Sequence, residues 1–118
     1  MPASATPLVT ALAREVIAPC PRNSPALMRA EAETLLASLP NWTLSPDGTL
    51  LLRSYVLPDF ANAYALVERI AALAEAADHH PDIAFGWGYV RLTLQTHAIG
   101  GLHRNDFIMA ARIETLPH

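Results

Sequence analysis

The sequence predicts an α+β fold, in which a four-stranded antiparallel sheet has three helices packed on one face. Three observations lead to this prediction. Apolar residues recur at helical spacing in three segments, one segment alternates between apolar and polar residues, and turn sequences separate the elements. Because the alternating segment has one apolar face, we expect the helices to cover only one side of the sheet. The predicted order is α-β-β-α-β-β-α.

The first helix is predicted at residues 24–38, after a start that suits a helix N-terminus. Ser24 can cap the helix with its hydroxyl group, and Pro25 fits the first helical position because that residue needs no backbone donor. Pro40 disfavours helical geometry in the residue before it, so we expect the helix to stop there.

A β-hairpin is predicted next, with strands at residues 42–44 and 49–57. The intervening residues 45–48 read Ser-Pro-Asp-Gly. Proline presets φ for a turn and glycine accepts a positive φ, so these four residues are expected to reverse the chain.

The second helix is predicted from residue 58 to about residue 78, and Pro81 is expected to end it. Its apolar residues recur at helical spacing and form a wide stripe. They are Phe60, Tyr64, Leu66, Val67, Ile70, Ala71, Leu73 and Ala74.

A second hairpin and a last helix complete the predicted domain. The third strand begins at residue 83, a Gly-Trp-Gly turn occupies residues 86–88, and the fourth strand covers residues 89–96. Apolar and polar side chains alternate along the fourth strand, as in a half-buried strand. Two consecutive glycines then break the chain before the last helix, residues 104–116.

The chain of 118 residues is expected to form one domain with an N-terminal extension. Five of the ten prolines fall within the first 25 residues. We therefore predict a proline-rich extension at residues 1–24 and the folded domain at residues 25–118. The extension is expected to pack loosely, with docking onto the domain as the alternative, and residues 8–18 could form a short amphipathic helix.

Composition narrows the classes of function. Hydrophobic residues make up 52% of the chain and charged residues 16%, so apolar contacts between subunits are expected. The net charge is −3 and no run of basic residues occurs, which argues against a nucleic-acid partner. No segment predicts a signal peptide or a membrane span. The single cysteine, Cys20, excludes an internal disulfide and favours a cytoplasmic location.

Four of the five histidines lie between residues 79 and 103. His79 and His80 stand where the second helix is predicted to end, and His97 follows the fourth strand. Glu75 precedes His79 by one helical turn, so its carboxylate is expected to reach that ring and orient it. Histidine suits proton transfer near neutral pH, which makes these residues candidates for an acid–base site.

Two other interpretations of the histidines stay open. Histidine is favourable near a helix C-terminus, so His79 and His80 could be only polar residues at a helix end. A metal site with His79, His97 and either Glu75 or Asp78 as ligands is a weaker alternative. The chain has no His-x-x-x-His pattern and no cysteine pair, and adjacent histidines diverge on a helix.

The spacing of these residues resembles the motif of pterin-4a-carbinolamine dehydratases. Three residues separate Glu75 from His79, and the sequence continues as His-His-Pro. Five residues then separate the proline from Trp87, nine separate Trp87 from His97, and eight separate His97 from Asp106. The resemblance extends over roughly residues 27–115, and it leaves the extension outside.

The resemblance implies an enzyme that removes water from a 4a-hydroxytetrahydropterin and forms a quinonoid dihydropterin in tetrahydrobiopterin recycling. It implies no metal and no organic cofactor. His79 and His97 are then the general acid–base groups, His80 binds and orients the pterin, and Glu75 supports the histidines. The substrate-binding residues implied are His80, Asp78, Pro81, Ile83, Trp87 and Thr96. Asp106 is expected to complement a helix dipole, with a catalytic role as the alternative.

Two residues depart from the family's pattern. Ile83 stands where many members carry an aromatic residue, so one wall of the pterin pocket is expected to differ. His103 stands where Ser or Thr often caps the last helix. Because histidine caps poorly, we expect Asn105 or backbone groups to compensate. For Trp87, a packing role at the hairpin turn is at least as well supported as stacking on the substrate.

The resemblance also leaves a second class of function open. Some dehydratase-like proteins are catalytically silent binding or assembly proteins, such as a transcriptional dimerisation coactivator or a Rubisco assembly factor of carboxysome-bearing bacteria. The retained acid–base residues favour catalysis. A homodimer that joins edge strands, or a homotetramer, is expected in either case.

Overall fold

A computed structural model describes residues 5–118, with side chains described from residue 8; residues 1–4 of the predicted extension lie outside it. Within this part of the chain the predicted α+β fold is confirmed. The helices are α1 (Ala5–Ala13), α2 (Arg29–Leu36), α3 (Phe60–Ala77) and α4 (Arg104–Glu114). The strands are β1 (Thr43–Leu44), β2 (Leu51–Val56), β3 (Asp82–Gly86) and β4 (Tyr89–Leu94), and a 3₁₀ turn covers His97–Ile99.

The four strands form one antiparallel sheet in the order β1-β2-β4-β3, which places β1 and β3 at its edges. The register pairs Leu51 with Leu94 and Tyr55 with Val90, so these side chains share one face. That face is buried, and it packs against the apolar residues of α3 and α4. None of the helices in the described residues combines the length and the apolar character that a bilayer span requires.

Local signals placed α3 and the first hairpin correctly. The Asp59 carboxylate caps α3 by accepting the backbone N–H of Asn62 at 2.8 Å, and this hydrogen bond lowers the pKa of Asp59. In the hairpin turn, the N–H of Gly48 donates to the carbonyl of Ser45 at 2.9 Å, and Gly48 has a φ of 76°. The positive φ is the conformation for which glycine was expected at this position.

The predicted start of the first helix at Ser24 is wrong, because α2 begins five residues later, at Arg29. The backbone N–H of Leu27 donates to the carbonyl of Leu102 at 2.8 Å, which keeps this segment extended beside the loop before α4. The helix starts where Glu31 accepts the backbone N–H of Met28 at 2.8 Å. A tertiary contact thus overrides the local signal of a serine followed by a proline.

The expectation of a loosely packed extension is also wrong for its described part. Helix α1 lies against α4, and the side chain of Leu12 is buried between them. Helix α4 consequently has five consecutive buried apolar residues, 107–111, because the sheet and α3 cover one side and α1 covers the other.

The buried Tyr55 gives the fold a test at alkaline pH. Burial, reinforced by the charge of Glu114, raises its pKa to about 12, against 10.0 ordinarily. The folded state therefore holds the phenolic proton longer than the unfolded state, so stability should fall as pH rises from 10 to 12. The loss is up to about 2.7 kcal/mol at two pKa units.

Urea unfolding at pH 9.5 and pH 11.5 measures this loss. The chain has no lysine, so few other side chains titrate in this range. Tyr55→Phe should remove most of the difference, whereas Tyr89→Phe, which replaces a partly buried tyrosine, should not. An equal alkaline loss in wild type and Tyr55→Phe would contradict this assignment.

Candidate active site

The end of α3 directs the two adjacent histidines away from the helix. Asp78, directly after the last helical residue, has a φ of 52° and lies in the left-handed region. The N–H of His79 donates back to the carbonyl of Ala74 at 3.2 Å, as in a Schellman-type helix end. Pro81 follows and cannot continue a helix. His79 and His80 therefore leave α3 in different directions.

A fully buried carboxylate lies at the centre of the site. Asp106, in the first turn of α4, is 0% exposed. One of its oxygens, Oδ1, lies 2.6 Å from Nε2 of His79. The other, Oδ2, accepts the Thr96 hydroxyl at 2.7 Å and the backbone N–H of His103 at 3.0 Å. Three elements, the end of α3, the end of β4 and the start of α4, thus meet at one side chain.

This geometry fixes the proton on the His79 ring. A buried carboxylate with three hydrogen-bonding neighbours accepts from each of them, so Nε2 of His79 carries a hydrogen and donates it to Asp106. The other nitrogen, Nδ1, is left to accept or release a proton. The predicted dipole role of Asp106 is therefore incomplete, because its carboxylate also orients one of the candidate acid–base residues.

Glu75 pairs with His80 and not with His79, which corrects the expectation from helical spacing. The Oε2 atom of Glu75 lies 2.5 Å from Nε2 of His80. Both side chains are exposed, 78% for Glu75 and 51% for His80. The left-handed backbone conformation of Asp78 explains why Glu75 reaches His80 instead of His79. It turns His79 towards α4 and brings His80 over the last turn of α3.

His97 begins the 3₁₀ turn directly after Thr96, whose hydroxyl group contacts Asp106. The turn is closed at its base, where the N–H of Thr96 donates to the carbonyl of Gly101 at 2.9 Å. Gly101 is required here because a Cβ atom would lie 2.9 Å from that of Ala26. His97 is exposed, and within residues 8–118 its ring makes no hydrogen bond. Its backbone is thus anchored beside the His79–Asp106 pair.

The other predicted substrate-binding residues differ in their surroundings. Pro81 is buried, and Ile83 is partly buried against the core. Trp87 is 72% exposed, so the packing role considered for it is wrong, while a role in substrate binding stays a prediction. The structure gives Thr96 a contact that sequence reasoning missed, since its hydroxyl group holds Asp106. Among the described residues, no three His, Cys, Asp or Glu side chains are grouped as metal ligands.

Comparison with known proteins places the chain in a family. Residues 25–116 match the family described as pterin 4 alpha carbinolamine dehydratase. The chain belongs to this family. The matched region contains every residue of the site described above, and the resemblance inferred from the spacing of the histidines is confirmed.

Bacterial members of the dehydratase family are similar over most of their length. A protein of Aromatoleum aromaticum, provisionally named pterin-4-alpha-carbinolamine dehydratase, is 50% identical over 83% of this chain and 88% of its own. One from Cupriavidus pinatubonensis with the same provisional name is 46% identical over 89% of this chain and 90% of its own.

Two solved structures are similar in fold. One is a transcriptional coactivator/pterin dehydratase from Brucella melitensis, with a TM-score of 0.72 and 29% identity over 76% of this chain and 96% of that one. The other is a pterin dehydratase-like protein identified as a RuBisCO assembly factor in the alpha-carboxysome. Its TM-score is 0.55, with 28% identity over 64% of this chain and 87% of that one.

His103 departs from the dehydratase pattern, and it was expected to be a poor cap for α4. His103 does cap α4, because its Nδ1 atom accepts the backbone N–H of Asn105 at 3.1 Å. Asp106 in turn accepts the backbone N–H of His103 and completes a capping box. A histidine caps poorly when protonated, but the neutral ring offers the acceptor that a serine hydroxyl would supply.

Proposed function

We propose that this protein catalyses the dehydration of a 4a-hydroxytetrahydropterin to a quinonoid dihydropterin. The observation that carries the proposal is the buried Asp106 carboxylate, which accepts from His79 and is held by Thr96, the residue before His97. The ring of His79 and the residue that precedes His97 are therefore held by the same carboxylate, which supports the proposal that both histidines act on one substrate. Membership of the dehydratase family supports the substrate class.

The reaction requires two proton transfers. Nδ1 of His79 accepts the proton from N5 of the pterin while the N5 lone pair forms the new double bond to C4a. The C4a–oxygen bond breaks, and His97 donates the proton that lets the hydroxyl leave as water. Asp106 stabilises the positive charge that develops on the His79 ring. Exchange with solvent then returns a proton to His97 and removes one from His79.

His80 is proposed to bind and orient the pterin, with Glu75 holding its ring through the 2.5 Å contact. Asp78, Pro81, Ile83, Trp87 and Thr96 are proposed to contribute to the pocket. Thr96 contributes through Asp106, because its hydroxyl group is already engaged there. A cytoplasmic location for the enzyme stays a prediction.

The decisive assay is carbinolamine breakdown with purified wild-type protein. The 4a-hydroxytetrahydropterin also dehydrates without a catalyst, so the rate must be compared at the same pH with a protein-free sample. We expect acceleration that is proportional to enzyme concentration. A wild-type rate equal to the protein-free rate would end the enzyme proposal.

A binding or assembly role is the second candidate, supported by the likeness to the pterin dehydratase-like RuBisCO assembly factor. A buried carboxylate aligned on a histidine is typical of acid–base sites, and a protein with a binding role alone has no requirement for one beyond the helix cap that Asp106 also supplies. We therefore place the enzyme first. Association with a protein partner in the absence of dehydratase activity would favour the second candidate.

We also propose that the chain forms a homodimer or homotetramer. In the described residues β3 pairs only with β4, which leaves one backbone edge of β3 open. Beside it, the rings of Phe60 and Tyr64 lie 5.6 and 6.4 Å from that of Phe85, and both are 49% exposed. An open strand edge next to a cluster of aromatic rings favours contact with a second copy.

Light scattering after size-exclusion chromatography tests this association. We expect a mass at least twice the 12.8 kDa of one chain. Tyr64→Glu should weaken the dimer at least about tenfold, because a charge would be buried at the contact. Met28→Glu places the same charge at another exposed apolar position and should not. A monomeric wild type at micromolar concentration would contradict the proposal.

A further inference from the structure

Residues 12–18, which we call the clamp, bind along the outer side of α4. The buried Leu12 packs on α4, and the guanidinium group of Arg112 donates to the last carbonyl groups around the end of α1. These hydrogen bonds reach Ala13 at 3.1 Å and Glu15 at 2.7 Å. Arg112 therefore caps α1 from the neighbouring helix and fixes the clamp to the last turn of α4.

The clamp also binds the first turn of α4 with matched side chains. Arg104 donates two hydrogen bonds to the Glu15 carboxylate, at 2.6 and 2.7 Å, and this pairing lowers the pKa of Glu15. Asn105, which is buried, donates to the carbonyl of Ala18 at 2.6 Å and accepts its N–H at 3.2 Å. Two successive residues of α4 are thus fixed by polar contacts to one short segment.

The next residue of α4 is Asp106, the centre of the candidate site. We propose that the clamp positions Asp106 against His79, so that residues outside the family match, 25–116, help to set the geometry of the catalytic pair. The 2.6 Å contact between Asp106 and His79 tolerates little displacement of α4. The side chains of Arg104 and Asn105 leave the helix beside Asp106, so fixing them restricts sliding and rotation of its first turn. Only the kinetic consequence of the clamp rests on the proposed function.

A matched pair of substitutions tests the clamp. Glu15→Ala removes the carboxylate that binds Arg104. Glu33→Ala removes an exposed carboxylate that pairs with Arg29 on α2, at 3.4 Å, where α4 is not involved. Arg104→Ala and the double variant, which carries both Glu15→Ala and Arg104→Ala, complete a double-mutant cycle. If the two residues act through their contact, the double variant should resemble either single variant. Asn105→Ala is a second, independent substitution, which removes the hydrogen bonds to the backbone of Ala18.

The primary measurement does not require catalysis. In protein with ¹⁵N-labelled histidine, the Nε2–H proton of His79 should be protected from exchange with water by Asp106. We expect Glu15→Ala to speed this exchange at least about threefold, which is within the range that loss of an exposed ion pair allows. Asn105→Ala, which removes two hydrogen bonds to Ala18, should also speed it, and Glu33→Ala should not change it. Unchanged exchange in Glu15→Ala, together with lower stability to urea, would assign the clamp a purely structural role and overturn the proposal.

The kinetic measurement follows from the same geometry. In the dehydration assay Glu15→Ala should lower kcat about threefold to tenfold and leave KM within twofold, because the clamp lies behind Asp106 and away from the substrate. Equal kcat values for Glu15→Ala and Glu33→Ala would contradict the proposal. If wild type lacks activity, the function proposed above fails, and the exchange of the His79 proton decides on the clamp alone. If Asn105→Ala does not fold, Glu15→Ala, at a surface pair, still decides.

Discussion

Asp106→Asn should lower kcat by about 10²- to 10³-fold while the protein remains folded. The amide oxygen can still accept from Thr96 and from the backbone N–H of His103, as Oδ2 does in the wild type. The amide NH₂ group then faces His79 and offers a donor where the ring needs an acceptor. His79 is driven to the tautomer with hydrogen on Nδ1, so it can no longer accept a proton from the substrate.

The control is Glu114→Gln, which makes the same chemical change on the same helix. Glu114 is a partly buried carboxylate that accepts from Trp42 at 2.7 Å and from Arg53 at 2.8 Å, away from the histidines. It should cost stability and leave kcat per folded molecule near the wild-type value. Nearly equal kcat values for Asp106→Asn and wild type would show that the carboxylate has only a capping role.

His79→Ala and His97→Ala should each lower kcat by about 10²- to 10⁴-fold, since each removes one of the two proton-transfer groups. Their pH profiles should also change in different ways. His79→Ala removes the base, so the fall in kcat at acidic pH should disappear. His97→Ala removes the acid, so the fall in kcat at alkaline pH should disappear.

The matched control is His118→Ala, which removes an exposed histidine at the C-terminus whose ring packs on Tyr55. Its kcat should equal that of wild type. Circular dichroism and urea unfolding of all three variants separate loss of function from loss of structure. Wild-type turnover in His97→Ala would contradict the two-histidine mechanism, even if His79→Ala is inactive.

Much of the fold could be predicted because its signals are local. The cap at Asp59, the turn at residues 45–48 and the alternation along β4 each depend on a few neighbouring residues. The start of α2 could not be predicted in this way. Ser24 and Pro25 form a good helix start in isolation, but the hydrogen bond from Leu27 to Leu102 keeps the segment extended. That contact joins parts of the chain that lie far apart in sequence.

Spacing and the family resemblance singled out the candidate residues, whose roles stay predictions, but the hydrogen-bond pairing among them could not be predicted. Helical spacing joins Glu75 to His79, and this would hold if the helix continued through Asp78. The left-handed conformation of Asp78 ends the helix and gives each histidine a different carboxylate. No local pattern links His79 to Asp106, because 26 residues lie between them.

The docking of the extension had a signal that could have been used. Residues 107–111 of α4 are apolar on every side of the helix, and a helix of this kind needs cover on both sides. A single sheet with α3 on the same face covers one side. The other side of α4 had to be buried by another part of the chain, and α1 packs there.

The central claim is that His79 and His97, from the end of a helix and the end of a strand, act on one pterin. A crystal structure with a bound dihydropterin product tests it most directly. We expect the ring to lie with N5 and C4a between the two imidazole groups, with Nδ1 of His79 within hydrogen-bonding distance of N5. A pterin bound away from His79, or in contact with only one of the two histidines, would contradict the account.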